Sequence, residues 1–342
     1  MTTVLPLVDV APLFAVARDE TAVLDVARQL DQACRRFGFV RISGHGVAAE
    51  RREQLTALAN EFFALPDEIK AEIAMERGGS AWRGWFPVGG ELTSGKPDGK
   101  EGIYFGEELG PEHPGVVAGL PLHGANLFPA EPAGLAAAVL DWMTSMTSLG
   151  LSLLRALALG LGLDEHWFDE NVTTHPTTLF RIFHYPPDFG GDDDWGVREH
   201  TDYGVLTILA QDGTGGLEVH SPAGDSWIEV PSDPDVLVVN LGDMLERMTM
   251  GLYRSTPHRV RNTSPVGRLS FPFFLDPSWH ATVTPMPLDV LDNVDVSSGA
   301  RQHRASERWD RADVHAWTGT YGEYLTAKVS RVFPTLVSRV NR

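Results

Sequence analysis

The sequence predicts an α+β fold with a mostly β core, an antiparallel sandwich of the jelly-roll kind flanked by helices at both ends. Three observations predict it. Short β-prone runs crowd residues 175–285: "TTLFRIFHYPP", "GVLTILAQD", "GGLEVHS", "DSWIEVPS", "DVLVVNLGD", "HRVRNT" and "RLSFPFFLDP". Turn clusters such as "SPAGD", "PSDPD" and "NTSPVG" divide them, as in a sandwich or barrel. Before this region apolar residues keep helical spacing, and after it "TGTYGEYLTAKVSRVF" returns to that spacing.

In chain order, Val23, Val26, Leu30 and Ala33 mark the first helix, with Asp19 or Thr21 as its cap and Gly38 as its stop. "GFVRISGHGV" reads as a strand and turn, and "EQLTALANEFFALPDEIKAEI" as a helix interrupted near Pro66. Residues 77–130 are rich in Gly, Pro and aromatics and read as a long irregular segment with short strands, a kind of segment that often carries function. A long helix follows, whose stripe of Leu135, Val139, Trp142, Met146, Leu149, Leu153 and Leu157 faces a core. The expected organisation is one domain over 1–342: a helical region 1–174, a jelly-roll core 175–285 and a C-terminal helical region 286–342. The boundary near 175 is compositional.

With 342 residues the chain can bury a substantial core. Its 28 basic and 46 acidic side chains leave a formal charge of −18, which argues against nucleic acid and anionic membranes as partners. An anionic small molecule stays open as a ligand, because one buried arginine dominates locally. The apolar region 133–163 is bracketed by Asp141 and Arg155, leaving fewer than the ~20 residues a membrane span needs. Cys34 is the sole cysteine, read as a buried, inert thiol, and the expected compartment is the cytoplasm.

The chemistry gathers at strand ends. In "EHTDYGVLTILAQD", His200 and Asp202 stand two residues apart at the start of an alternating run, so a strand would project both to one face. His258 in "YRSTPHRVRN" opens another β-prone run. Two histidines and one carboxylate suit a non-haem Fe(II) centre with open positions, and zinc uses the same ligand types. Ten residues beyond His258, Arg268 and Ser270 in "GRLSF" again share a face. An inward guanidinium needs an anion, supplied either by a structural salt bridge or by a bound carboxylate.

These motifs, in this order, resemble the isopenicillin N synthase-like branch of the Fe(II)/2-oxoglutarate-dependent oxygenases. "HTDYGVLTIL" resembles the family's His-x-Asp strand, "STPHRV" its distal histidine and "RLSFPFFLDP" its Arg-x-Ser segment. "ACRRFGFVRISGHGV" and "FHYPP" resemble its N-terminal region and its Tyr-Pro turn, so the likeness spans nearly the whole chain. The resemblance implies a double-stranded β-helix core and iron held by His200, Asp202 and His258. It implies that Arg268, Ser270 and Tyr185 bind 2-oxoglutarate, with O2 as oxidant. It implies hydroxylation of a small metabolite, in secondary metabolism, with release of succinate and CO2. Desaturation and ring closure use the same centre.

The chain departs from the family at Phe183, where many plant members have Asn. The resemblance therefore implies no co-substrate contact there, and Phe183 is a candidate for the pocket wall. The presence of Asp202 disfavours halogenation. By resemblance Phe274 faces the substrate, with a core role as the competing reading. In the irregular segment Arg83, Trp85, Tyr104 and Phe105 are candidate substrate contacts, Arg83 being either a partner for a substrate carboxylate or a surface residue. His184 adjoins Tyr185 but points the other way, and His175, His220 and His280 read as solvated or capping. Asp192, Asp193 and Asp194 read as a solvated loop, with calcium binding as the alternative. The rival functions are an iron-dependent oxidase or cyclase that does not use 2-oxoglutarate, an inert binding jelly roll, and a zinc hydrolase, which leaves Arg268 and Ser270 unexplained.

Overall fold

The computed structural model describes residues 4–93, 95–187, 195–222, 224, 226–261, 264–287 and 313–333. Asp192, Asp193 and Asp194, and much of the expected C-terminal region, lie outside the described residues.

Fourteen strands are described. They are β1 (Leu7–Asp9), β2 (Phe39–Ser43), β3 (Gly84–Phe86), β4 (Leu92–Thr93), β5 (Lys96–Pro97), β6 (Glu101–Gly106), β7 (Pro176–Tyr185), β8 (Val197–His200), β9 (Leu206–Gln211), β10 (Leu217–His220), β11 (Trp227–Glu229), β12 (Leu237–Leu241), β13 (His258–Val260) and β14 (Arg268–Ser278). An eight-stranded sheet runs β1-β2-β12-β9-β14-β7-β6-β3, and a four-stranded sheet runs β11-β10-β13-β8. The larger sheet takes β1, β2, β3 and β6 from the region before residue 175, so no physical boundary falls there.

The helices form where the apolar spacing places them. Glu20–Phe37 begins at Asp19, whose carboxylate accepts from the backbone N–H of Thr21 and Ala22, and ends at Gly38. Gly38 takes a left-handed φ of 64°, and a β-carbon there would stand 2.2 Å from the Arg254 carbonyl oxygen. The helix Leu135–Gly160 buries every residue of its expected stripe. By length and composition it could cross a membrane, but here the helix packs on β7, β9 and β14 of the larger sheet and on the helices Glu20–Phe37 and Ala49–Phe63. The C-terminal helix Tyr321–Val332 opens with a capping box between Thr320 and Glu323.

One local expectation is corrected. His200 and Asp202 do not share a strand: His200 closes β8, and Asp202 lies in the link 201–205 that carries the chain to β9 in the other sheet. The backbone explains the break. The carbonyls of Asp202, Gly204 and Val205 accept from the N–H groups of Asp243, Met244 and Gly242, at 2.8, 3.0 and 3.1 Å. The link thus satisfies the start of the helix Asp243–Met248 instead of continuing a ladder. Gly204 is required in it, because a β-carbon would overlap the Asp276 carboxylate at 1.4 Å from Oδ1.

Candidate metal centre and adjoining pocket

Antiparallel pairing of β13 with β8 sets His258 directly opposite His200, with ring centroids 4.2 Å apart. Asp202 completes the group: its Oδ1 lies 3.8 Å from Nε2 of each histidine. One ligand atom from each residue falls within 4.8 Å of the others, a spacing that fits a single ion between them.

The surroundings prepare each ligand atom. His200 Nδ1 meets the Arg198 carbonyl at 2.8 Å and His258 Nδ1 meets the Thr256 carbonyl at 3.2 Å. A carbonyl only accepts, so each Nδ1 carries the proton and each Nε2 keeps a lone pair for a metal. Burial, then the neighbouring His258, pushes His200 down to about 3, so its imidazole is neutral at pH 7. Asp202 Oδ2 accepts from Thr207 Oγ1 at 2.5 Å and Asn240 Nδ2 at 2.6 Å, which turns Oδ1 toward the ion position. Burial alone would raise the Asp202 carboxyl, but His258, His200 and these two bonds outweigh it and hold it below its usual value.

Thr207 and Asn240 face each other in the register of β9 and β12, so the larger sheet orients a ligand presented by the link. Asn240→Ala is expected to weaken Fe(II) binding about 10–100-fold with the fold retained, as for other partners that orient metal ligands. Metal titration of the folded variant checks this.

The cavity around the centre is lined from both sheets, and strand alternation decides which side chains reach it. From β14 they are Arg268, Ser270, Pro272, Phe274 and Asp276, and from β7 they are Leu179, Arg181, Phe183 and Tyr185. Arg268 is fully buried, with its guanidinium 4.6 Å from the Tyr185 ring centre. Its Nε donates to the Gly215 carbonyl at 2.6 Å and Nη2 to Gln211 Oε1 at 3.2 Å. Nη1 is buried with no hydrogen-bond partner among the described residues. Beside it the hydroxyls of Tyr185 and Ser270 lie 3.3 Å apart. An orphaned guanidinium N–H next to two hydroxyls fits a carboxylate.

Asp276, at the far end of the β14 row, accepts from the Tyr321 hydroxyl at 2.5 Å. Burial first, opposed by that bond and aided by Asp202, pushes its carboxyl up to about 7. An unfolded Asp titrates near ~3.9, so between that pH and about 7 the unfolded chain has lost a proton that the native protein keeps. The native advantage therefore falls as pH rises through that window. Asp276→Asn should remove most of this slope and gain a few kcal/mol, on the order of 1.4 per pKa unit, at pH 8 relative to pH 4. Denaturant unfolding of both proteins across that range reads the difference.

The structure separates the remaining candidates. Phe183 and Phe274 line the cavity. Arg83, Trp85 and Tyr104 do not, so the structure does not bring them to the metal centre as expected; Tyr104 lies behind Arg181, its ring centre 4.1 Å from that guanidinium carbon. Arg83 is neither at the cavity nor on the surface: only 3% exposed, it binds the carbonyls of Glu107 and Leu122 and Oδ1 of Asn126. These acceptors engage Nη1 and Nη2, while Nε is buried with no hydrogen-bond partner among the described residues. Trp85 donates to Glu101 Oε2 at 2.9 Å. The Tyr104 hydroxyl donates to Glu91, and Phe105 stacks on Phe128 and Phe180. His184 faces away to Glu101 Oε1 at 2.9 Å. His175 and His280 border a separate cleft, and His220 packs edge-on to Trp227.

Glu91, Lys100 and Arg181, three charged residues that line the cavity, were not among the expected contacts. For Arg181 the signal was present, since it stands two and four residues before Phe183 and Tyr185 on the same alternating strand.

The chain is similar to known proteins over nearly its whole length. Residues 176–277 match the family model described as the 2OG-Fe(II) oxygenase superfamily. Residues 5–131 match that described as "non-haem dioxygenase in morphine synthesis N-terminal". A Dictyostelium discoideum protein described as "Probable iron/ascorbate oxidoreductase" is 42% identical over 98% of this chain and 96% of its own. A 1-aminocyclopropane-1-carboxylate oxidase of Dictyostelium mucoroides is 33% identical over 97% of this chain and 96% of its own. Among solved structures, a full-length Neurospora crassa protein in complex with alpha-KG and thymine superposes with a TM-score of 0.76 at 27% identity, covering 95% of this chain and 96% of that one.

Proposed function

The chain belongs to the 2OG-Fe(II) oxygenase superfamily, and from that premise we propose that it hydroxylates a small metabolite, with Arg268, Ser270 and Tyr185 as the co-substrate clamp. It is an enzyme that uses Fe(II), 2-oxoglutarate and O2. The observation that carries the clamp is the buried Arg268 Nη1, which lacks a partner among the described residues and lies beside two hydroxyls.

His200 and His258 would hold the ion through Nε2 and Asp202 through Oδ1, a three-ligand set of the kind that suits a non-haem Fe(II) centre. When bound, the iron with 2-oxoglutarate and O2 supplies the oxidising power, so that one oxygen atom enters succinate and the other the substrate, with loss of CO2. Arg268 would receive the distal carboxylate of 2-oxoglutarate, and the Ser270 and Tyr185 hydroxyls would donate to it. Phe183 and Phe274 wall the cavity and limit water. We place the enzyme in the cytoplasm, a reading supported by its single, buried thiol, Cys34, and tested by cell fractionation. The match to the morphine-synthesis family model supports a place in secondary metabolism.

Anaerobic addition of Fe(II) and 2-oxoglutarate to metal-free protein tests the reading. A weak visible charge-transfer band that needs both components is expected. The oxidase or cyclase reading keeps a specific support, the 33% identical relative named as an oxidase. Bound iron with no such band, and turnover without succinate, would establish that reading instead.

A further inference from the structure

Arg181 projects from β7 into the same cavity as Phe183 and Tyr185, yet it takes no part in the metal centre or in the clamp around Arg268. Its guanidinium carbon lies 4.1 Å from the Tyr104 ring centre and 4.6 Å from that of Phe274. Stacking on rings leaves the in-plane N–H edges of a guanidinium for a ligand. Nε is buried and has no hydrogen-bond partner among the described residues.

The carboxylate beside it does not fill that role. Glu91 Oε1 stands 4.0 Å from Nη1, beyond hydrogen-bond distance. Glu91 is already engaged by Lys100 Nζ at 2.9 Å and by the Tyr104 hydroxyl. Lys100 in turn is held by Asp98 at 2.6 Å. Burial disfavours charge on Arg181, but Tyr104, Glu91, Tyr203 and Asp202 outweigh it, so the group stays cationic. The side chain is 16% exposed, and a largely buried guanidinium whose Nε is unused is costly unless an anion completes it.

We infer that Arg181 is the specificity-determining residue for the prime substrate, and that this substrate is a small organic acid whose carboxylate Arg181 receives in the cavity. The inference rests on the oxygenase reading above. The two guanidinium groups serve different anions. Arg268 pairs with Tyr185 in the register of β14 and β7, and Arg181 lies four residues further along β7, roughly 13 Å of strand. That spacing places the co-substrate carboxylate at one end of the cavity wall and the substrate carboxylate at the other, with Phe183 between them.

The test uses the Fe(II)- and 2-oxoglutarate-loaded enzyme with a panel of small aliphatic, aromatic and amino carboxylic acids, each beside its primary amide. Succinate formation above the rate without added compound is the readout. Acids are expected to stimulate it and their amides are not. In Arg181→Met, whose stem still packs on Tyr104 and Phe274, the KM for the best acid should rise about 100-fold while that for 2-oxoglutarate stays within about twofold. Arg181→Lys should recover part of the loss. Equal stimulation by an amide, an unchanged KM in Arg181→Met, or no response to any acid would overturn the inference. Absence of the charge-transfer band in the wild-type protein would instead overturn the reading on which it rests.

Discussion

Asp202→Ala should leave a folded protein that neither retains Fe(II) nor forms succinate. The substitution removes the only anion among the three ligands and leaves the donors of Thr207 and Asn240 without their acceptor. Loss of a partner that merely orients a ligand costs about 10–100-fold in metal affinity, so loss of the ligand itself should cost at least roughly 100-fold. Anaerobic iron titration with far-UV circular dichroism on the same sample separates loss of metal from loss of fold. Full iron affinity in Asp202→Ala would remove this residue from the centre.

Arg268→Ala should weaken 2-oxoglutarate by roughly 2–4 kcal/mol, about 30–1,000-fold in KM, since it removes a charge-assisted contact in a buried site. Iron binding should persist, because His200, Asp202 and His258 are untouched. The charge-transfer band, saturable in the parent, should then appear only at far higher 2-oxoglutarate. Under the oxidase reading the same variant would instead raise the KM of the prime substrate. The experiment therefore checks the clamp and discriminates the two chemistries.

Much of this site was legible because strands alternate. One face of "RLSFPFFLD" carries Arg268, Ser270 and Phe274 whatever the rest of the chain does, and one face of "RIFHY" carries Phe183 and Tyr185. The same rule applied to Arg181 places it in the cavity beside Phe183 and Tyr185. Arg83, Trp85 and Tyr104 lie where their orientation depends on the register of β3 on β6 and of β6 on β7. No local pattern announces such a register. His200 and Asp202 stood out by their spacing, yet their meeting comes from a backbone link between sheets, tied down by residues 242–244 far along the chain. A run of β-formers does not reveal where a ladder stops when the competing hydrogen bonds are that remote.

The row Arg268, Ser270, Pro272, Phe274 and Asp276 lies on one strand, paired on both sides by β7 and β9. This arrangement limits how the enzyme can change. Inserting or deleting one residue in β14 would exchange the cavity-facing row for Leu269, Phe271, Phe273 and Leu275, all buried in the core, and lose the guanidinium and the fit of the sheet together. Variation along this wall is therefore confined to replacement in place. Length changes are left to segments outside β14 that border the cavity, such as the one carrying Glu91, Leu92 and Thr93, where a new shape can be tried without displacing Arg268.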